Sequence, residues 1–230
     1  IYSLSTSKYI FFQNKDNQDF FVDNKLCDLE KCILVPGSGI DLKFFVPQKL
    51  PKFPLVFLMS SRLLNEKGVL EYFKCANIVK KKYDHIRFIF QYSLDNYSKD
   101  SIDLNILEKL NSNKNIEVYE NVDDIRKIML KCHVFVLPSY HEGLPRTSIE
   151  ALALGKPIIT TDVSGCRETV INNLNGYLVK ERSLFSLLKA MLKLIKNDKI
   201  LNKMSKESRN LAEKKFDYKI VNQIILSKLN

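Results

Sequence analysis

The sequence predicts an α/β fold, a doubly wound parallel sheet covered by helices on both faces. Three observations predict it. After Pro54, strand-length apolar runs and helix-length segments alternate six times. The runs, such as Pro54-Leu-Val-Phe-Leu-Met59 and Val134-Phe-Val-Leu-Pro138, are apolar throughout, as strands buried on both faces must be. The composition is globular: in 230 residues, 45% are hydrophobic and 27% charged, with only 7 Gly and 7 Pro. That excludes collagen, low-complexity disorder and a disulfide scaffold.

Taken in order, Lys8–Phe12 and Lys31–Val35 read as short strands. The polar stretch Gln13–Asp19 between them reads as a loop or helix start. Pro36, Pro47, Pro51 and Pro54 oppose regular structure, so 35–54 reads as a linker. The expected strands then follow: Leu55–Met59, Arg87–Gln91, Asn115–Tyr119, Val134–Leu137, Pro157–Thr160 and Gly176–Val179. Helices are expected at Glu66–Tyr83, Ile102–Leu110, Asp123–Lys131, Pro145–Leu154 and Cys166–Ile171, with three more to the end.

No apolar run approaches the ~18 residues a membrane helix needs, and no signal peptide is visible. The chain begins at Ile1 rather than Met, as a piece of a longer protein would. Its five cysteines (Cys27, Cys32, Cys75, Cys132, Cys166) lack C-x-x-C spacing. They read as neutral or buried thiols in a reducing, cytoplasmic setting rather than as a zinc or thioredoxin-type site.

The net charge is +10, and it is uneven: Lys180–Asn230 holds thirteen Lys and Arg against five Asp and Glu. Within it, Leu184, Leu187, Leu188, Met191, Leu192 and Ile195 recur at helical spacing, with Lys189, Lys193 and Lys196 assigned to the opposite side. No aromatic residues interleave with these lysines, which argues against nucleic acid. Solvated helix faces and peripheral contact with an anionic membrane, at its inner face, remain as readings.

In doubly wound folds ligands sit at the carboxyl ends of the strands, so the chemistry is sought there. After the first strand of the alternating series comes Ser60-Ser-Arg62-Leu-Leu-Asn-Glu-Lys67-Gly68. This is a cationic turn entering a helix, suited to a phosphate or diphosphate. After Val134–Leu137 comes Pro138-Ser-Tyr-His141-Glu142-Gly-Leu-Pro-Arg-Thr-Ser-Ile-Glu150. Pro145 suits a first helical position, and the N–H groups of Arg146, Thr147 and Ser148 would face an anion. Glu142 and Glu150 suit sugar hydroxyls, or else complement the helix dipole. Gly143 allows close approach of backbone to ligand. His141 lacks a partner nucleophile and reads as a solvent-facing or packing residue; His85 and His133 read as structural. No Asp-x-Asp pattern supports a metal clamp, and no G-x-G-x-x-G follows a strand. Gly37-Ser-Gly39 lies in the linker.

These segments form one ordered series: Pro36-Gly-Ser-Gly-Ile-Asp41 with Phe45, Ser61-Arg62 with Lys67-Gly68, and Pro138-Ser with Glu142-Gly-Leu-Pro and Glu150-Ala. It continues with Gly155-Lys-Pro-Ile-Ile-Thr-Thr-Asp-Val-Ser-Gly165, Glu168 and Asn175-Gly176. Over about residues 30 to 225 the series resembles the carboxyl-terminal, Rossmann-like half of a retaining GT-B glycosyltransferase of family four. It is similar to bacterial enzymes of surface-polysaccharide and lipid-linked oligosaccharide synthesis.

The resemblance implies a nucleotide-sugar donor domain at 55–215, a cross-over helix at 216–230, and a remnant of the acceptor domain at 1–34. It implies that Arg62 and Lys67 hold the donor diphosphate, and that Glu142, with backbone at Gly143 and Leu144, meets the donor sugar. Backbone at Arg146 and Thr147 would bind phosphate, Glu150 the ribose, and Glu120 and Asn121 the nucleobase. Arg62, Lys67 and Glu142 are then the catalytic set. The implied reaction moves a UDP-linked hexose or N-acetylhexosamine to a glycan or lipid-linked acceptor with retention, without metal or other cofactor. The alternative is a donor-domain module that binds nucleotide-sugar without transfer; an epimerase or phosphorylase is a weaker reading. Two departures stand out. Gln91-Tyr-Ser-Leu94 replaces a glycine common after the second strand, and Pro145 has no N–H to offer a phosphate.

Overall fold

A strand covered on both faces buries every side chain, and β-branched and aromatic runs suit that environment. The computed structural model describes residues 4, 6–95 and 98–229. The parts of the expected 1–34 and 216–230 segments at residues 1–3, 5 and 230 lie outside it. Strands β1 (Ile10–Phe12) and β2 (Cys32–Leu34) pair in parallel as a two-stranded sheet, with helix α1 (Lys15–Asp23) between them in sequence.

The second sheet is parallel throughout. It contains β3 (Val56–Arg62), β4 (Arg87–Ser93), β5 (Ile116–Glu120), β6 (Val134–Leu137), β7 (Ile158–Thr161) and β8 (Gly176–Val179). Its order is β5-β4-β3-β6-β7-β8. From β3 the chain runs outward to β4 and β5, then returns to β6 on the other flank. The carboxyl ends of β3 and β6 therefore diverge into loops that leave a crevice between them.

Helices α2 (Val69–Lys82), α3 (Leu104–Leu110), α4 (Arg126–Met129), α5 (Arg146–Ala153), α6 (Leu184–Lys196), α7 (Leu201–Leu211) and α8 (Tyr218–Leu229) complete the described elements. The core is strongly aromatic around β3, β4 and α2. Phe57 stacks on Phe88 and Phe73 meets Phe90 edge-on, both at 5.3 Å. The buried Tyr72 hydroxyl donates toward the Phe57 and Ile89 carbonyls, so its polar tip is satisfied.

The expected elements match to within a few residues, with two departures. The helix expected from Glu66 is a 3-10 turn, Asn65–Lys67, then Gly68 in the left-handed region (φ +73°), then α2. A Cβ on Gly68 would lie 2.3 Å from the Pro138 carbonyl oxygen, so β6's exit packs directly on this break. The helix expected at Cys166–Ile171 is a single 3-10 turn, Arg167–Thr169. Buried Asn175 accepts from Ile171 N–H at 2.7 Å and donates to the Thr169 carbonyl, which ends the turn.

On α6 the buried face is Leu187, Ala190, Met191 and Leu194. Leu188 and Leu192 are only partly buried, and they share a groove with the exposed Phe185 and with Lys189, Lys193 and Lys196. The lysines therefore border part of the apolar stripe rather than oppose it.

His133 is structural, as expected. It is buried, its Nδ1 accepts from Val56 N–H at 3.1 Å, and its Nε2 lies 3.0 Å from the Pro51 carbonyl. This requires a neutral ring protonated at Nε2. Burial lowers its pKa below the usual histidine value. A depressed folded pKa means the contribution is intact above the ordinary histidine range and is lost as pH falls through the folded value. Acid titration below about pH 6.5 therefore destabilises the protein, and His133→Gln flattens that part of the stability–pH curve. Parallel chemical denaturation of both proteins from pH 7 downward tests this; identical slopes overturn it.

Candidate functional site

The crevice above β3 and β6 gathers most of the residues that the sequence singled out. Lys67, at the end of the 3-10 turn, is 7% exposed, so its charge is sequestered from bulk water. Its Nζ lies 2.9 Å from Glu142 Oε1 and 3.1 Å from Glu66 Oε1. Ser139 Oγ donates to the same Glu142 oxygen at 2.9 Å. Arg62, at the end of β3, is more exposed, held by Asp95 at 2.6 Å with Glu66 at 3.9 Å. Both cations thus sit among carboxylates, Lys67 between Glu142 and Glu66 and Arg62 between Asp95 and Glu66.

Glu142 and Gly143 are gripped from below. A Cβ on Gly165 (φ +74°) would fall 2.3 Å from the Glu142 carbonyl oxygen and 2.6 Å from that of Gly143. Only a glycine at 165 lets the loop after β7 pass so close to the loop after β6. Leu144 lies against Gly37 of the linker, where a Cβ would meet Leu144 Cδ2 at 2.7 Å.

Helix α5 starts after Pro145. Ser148 N–H donates back to the Pro145 carbonyl at 3.1 Å, so it turns into the helix rather than toward a ligand as expected. Arg146 and Thr147 are left as first-turn donors. Glu150, one turn further, is 8% exposed and accepts from Arg146 Nε at 3.1 Å. Burial raises the Glu150 pKa, and the Arg146 guanidinium opposes that shift. His141 is exposed.

Glu120 and Asn121 close the end of β5, two strands away from β3 in the sheet. Glu120 Oε2 accepts from Tyr92 OH at 3.2 Å, and Asn121 Nδ2 donates to Glu120 Oε1 at 3.2 Å. Glu168 and Asn175 serve the frame: Lys215 bonds Glu168, and Asn175 ties the turn before β8.

Sequence reasoning missed Asn14. It is 2% exposed; its Nδ2 donates to the Gly143 carbonyl at 2.6 Å and its Oδ1 accepts from Ser164 Oγ at 2.9 Å. The available signal was its N-cap character, Asn14 followed three residues later by the Asn17 N–H that it caps at 2.8 Å. The cysteines divide. Burial pushes the thiols of Cys75, Cys132 and Cys166 up to about 12, 11 and 11. Cys27 and Cys32 are half-exposed, with their sulfurs 3.4 Å apart.

The cationic pair, the helix start and the two glutamates lie at the switch point of an open doubly wound sheet, the place where such folds hold phosphorylated ligands. The family described as Glycosyl transferases group 1 matches residues 42–211, and the chain belongs to it. It is 29% identical over 220 residues to the N,N'-diacetylbacillosaminyl-diphospho-undecaprenol alpha-1,3-N-acetylgalactosaminyltransferase of Campylobacter jejuni, covering 90% of this chain and 56% of that protein. It is 27% identical over 216 residues to the UDP-Gal:alpha-D-GlcNAc-diphosphoundecaprenol alpha-1,3-galactosyltransferase of Escherichia coli, covering 89% and 55%. The chain thus spans about half the length of these curated relatives. Among solved structures, Anabaena HepE in complex with UDP shares the fold at a TM-score of 0.87 and 18% identity, covering 99% of this chain and 65% of that one.

The Glu150 environment yields a prediction. A carboxyl whose folded pKa is raised contributes stability that is full below its ordinary value and is lost as pH rises through the folded one. At neutral pH the buried charge is therefore a cost, and Glu150→Gln melts at or above the parent temperature. The difference closes near about pH 4, where an ordinary glutamate titrates. A variant melting several degrees lower at neutral pH would mean that the charge itself holds α5 in place.

Proposed function

We propose that this chain supplies the donor half of a retaining glycosyltransferase. It takes the sugar of a UDP-linked hexose or N-acetylhexosamine for transfer to a glycan or lipid-linked acceptor in surface-polysaccharide synthesis. The observation that carries the reading is the meeting of Arg62, Lys67, Glu142 and the start of α5 over the switch point between β3 and β6. Both curated relatives above are named as transferring galactose-type sugars, and both names contain a lipid-linked diphosphate.

In this reading the diphosphate takes Arg62 from Asp95 and shares Lys67 with Glu142. Fixed cations then stabilise the charge that grows on the diphosphate as its bond to the sugar breaks. Glu142 and the Gly143–Leu144 backbone face the sugar. Glu150 holds the ribose, and Glu120 and Asn121 flank the base. The division at 1–34, 35–54, 55–215 and 216–230 is part of the same proposal.

The test is titration calorimetry with UDP and a UDP-sugar, with melting curves alongside. Ligand at a hundredfold excess over Kd stabilises by ~2.7 kcal/mol. Arg62→Ala weakens both ligands. Glu150→Gln also weakens both, by ~1.5–3 kcal/mol for a hydrogen bond to a charged group. Glu142→Gln weakens only the sugar-bearing donor, because bare UDP carries no sugar for that carboxylate to hold. Chelating divalent ions changes none of these affinities, since Arg62 and Lys67 supply the positive charge. Flat curves with all common nucleoside diphosphates refute the reading; binding without transfer, once the chain is joined to its acceptor half, supports the non-catalytic module instead.

Peripheral contact with an anionic membrane belongs to the same reading. No helix among the described residues is long and apolar enough to cross a membrane. Phe185, 74% exposed, lines a groove with Leu188 and Leu192 beside Lys189, Lys193 and Lys196. Such a face suits an acidic bilayer surface, to which each lysine adds ~1 kcal/mol. The protein should sediment with phosphatidylglycerol vesicles and not with phosphatidylcholine vesicles, and Phe185→Ser with Lys193→Glu should abolish the difference. Equal sedimentation by parent and variant would leave these lysines as a solvated face.

A further inference from the structure

Asn14 makes more bonds than a helix cap requires. Its Oδ1 caps α1 through Asn17 N–H at 2.8 Å. The same oxygen accepts from Ser164 Oγ at 2.9 Å, in the loop after β7, and Nδ2 reaches the Gly143 carbonyl at 2.6 Å, in the loop after β6. One buried amide therefore joins the β1–α1 corner to both loops that shape the floor of the crevice. Its neighbours reinforce the joint. Gln13 Oε1 lies 3.1 Å from where a Cβ on Gly143 would stand, and Asp16 pairs with Arg167 beyond the β7 loop at 2.8 Å. Gly165 presses on the Glu142 and Gly143 carbonyls from the other side.

We infer that Asn14 is a positioning residue for the donor sugar. It fixes the Gly143–Leu144 peptide, one residue on from Glu142, from outside the six-stranded sheet and so sets affinity for the sugar-bearing donor rather than for the bare nucleotide. The inference rests on the assignment of Glu142 and Gly143 to the sugar in the proposed function. Arg62, Lys67 and Glu150 receive no bond from Asn14, so the diphosphate and ribose contacts are separable from it. Chain entropy sharpens the argument. A loop with glycine at 143 has many conformations to lose, and a hydrogen bond to its carbonyl selects one before ligand arrives.

Two conservative variants separate positioning from capping. Asn14→Ser keeps an N-cap oxygen but is too short to span to Gly143. Asn14→Asp keeps the cap and the acceptor for Ser164, and sets a carboxylate against the Gly143 carbonyl where a donor stood. The readout is the ratio of Kd values for UDP and a UDP-sugar. Both variants should keep UDP affinity within twofold and lose roughly five- to tenfold of the UDP-sugar advantage, the scale of one neutral hydrogen bond. Melting temperatures should fall in both variants, since each leaves the Gly143 carbonyl without its buried donor, so the affinity ratio measured on folded protein, not the melting temperature, is what separates positioning from stability. An unchanged ratio in both variants overturns the inference. So does a ratio that Asn14→Ser restores after Asn14→Ala has lowered it, which would make Asn14 a cap alone. If UDP fails to bind even the parent chain, it is the proposed function that fails.

Discussion

The site depends on β3 and β6 lying side by side in the middle of one parallel sheet. Parallel pairing places all carboxyl ends on the same edge, and the polar side chains buried in the strands are bonded inside the sheet, as Ser60 is to Gln91 and Thr160 to the Leu137 carbonyl. The chain leaves β3 toward one flank and β6 toward the other, and the two exits touch at the junction, where the Gly68 break packs on the Pro138 carbonyl and Tyr140 N–H donates to the Glu66 carbonyl. Lys67 and Glu142, 75 residues apart in sequence, meet there at 2.9 Å. Gly68 under the Pro138 carbonyl and Gly165 under Glu142 are consequences of the same crowding: three loops leave one narrow edge, and two of them must touch.

The electrostatics follow from that placement. A cation as buried as Lys67 is costly unless paired, and it has two carboxylates and a nearby hydroxyl network. Arg62 keeps more water and is worth less in its pair with Asp95, as exposed pairs are. The two cations therefore differ in kind. Lys67 is a preorganised charge whose partners hold it in place, whereas Arg62 is able to change partners. Glu150 is the inverse case, a carboxylate held in a buried position where only Arg146 supports its charge. Lys156 is buried more fully still, but its ammonium serves the frame by donating to the Cys132 carbonyl.

Much of this was legible in the sequence. The strands announced themselves because a fully buried strand leaves an uninterrupted apolar run, and Arg62, Lys67, Glu142 and Glu150 were legible as groups following strands. What failed was whatever depends on a distant partner. Cys166–Ile171 reads as a helix by pattern, yet Asn175 stops it after one turn. Ser148 N–H reads as an anion donor until Pro145's carbonyl takes it. Lys156 carries no signal of its own in Gly-Lys-Pro, yet it is fully buried and donates to the Cys132 carbonyl at 2.9 Å. Lys189, Lys193 and Lys196 have a helical period that separates them from the core, but no period reveals which leucines the core leaves uncovered.

The segment with least regular structure contributes as much to the crevice as the sheet does. Residues 35–54 hold no strand or helix, yet they are anchored along their length by directed bonds. Ile40 bridges to Asp217 at the start of α8, and the Gly39 α-carbon abuts Tyr218. Arg209, on α7, donates to the Phe45 and Ala153 carbonyls at 2.7 Å each, so one guanidinium joins this segment to the end of α5. Gly37 in turn backs Leu144. An irregular segment has backbone groups to satisfy, and here Arg126 of α4, Arg209 of α7 and the start of α8 satisfy several of them. The loop carrying Glu142, Gly143 and Leu144 is thereby enclosed by Asn14 on one side, Gly165 beneath and Gly37 behind. Three separate stretches of chain converge on one tripeptide, and each does so through a position where a larger or less polar residue would push the others away.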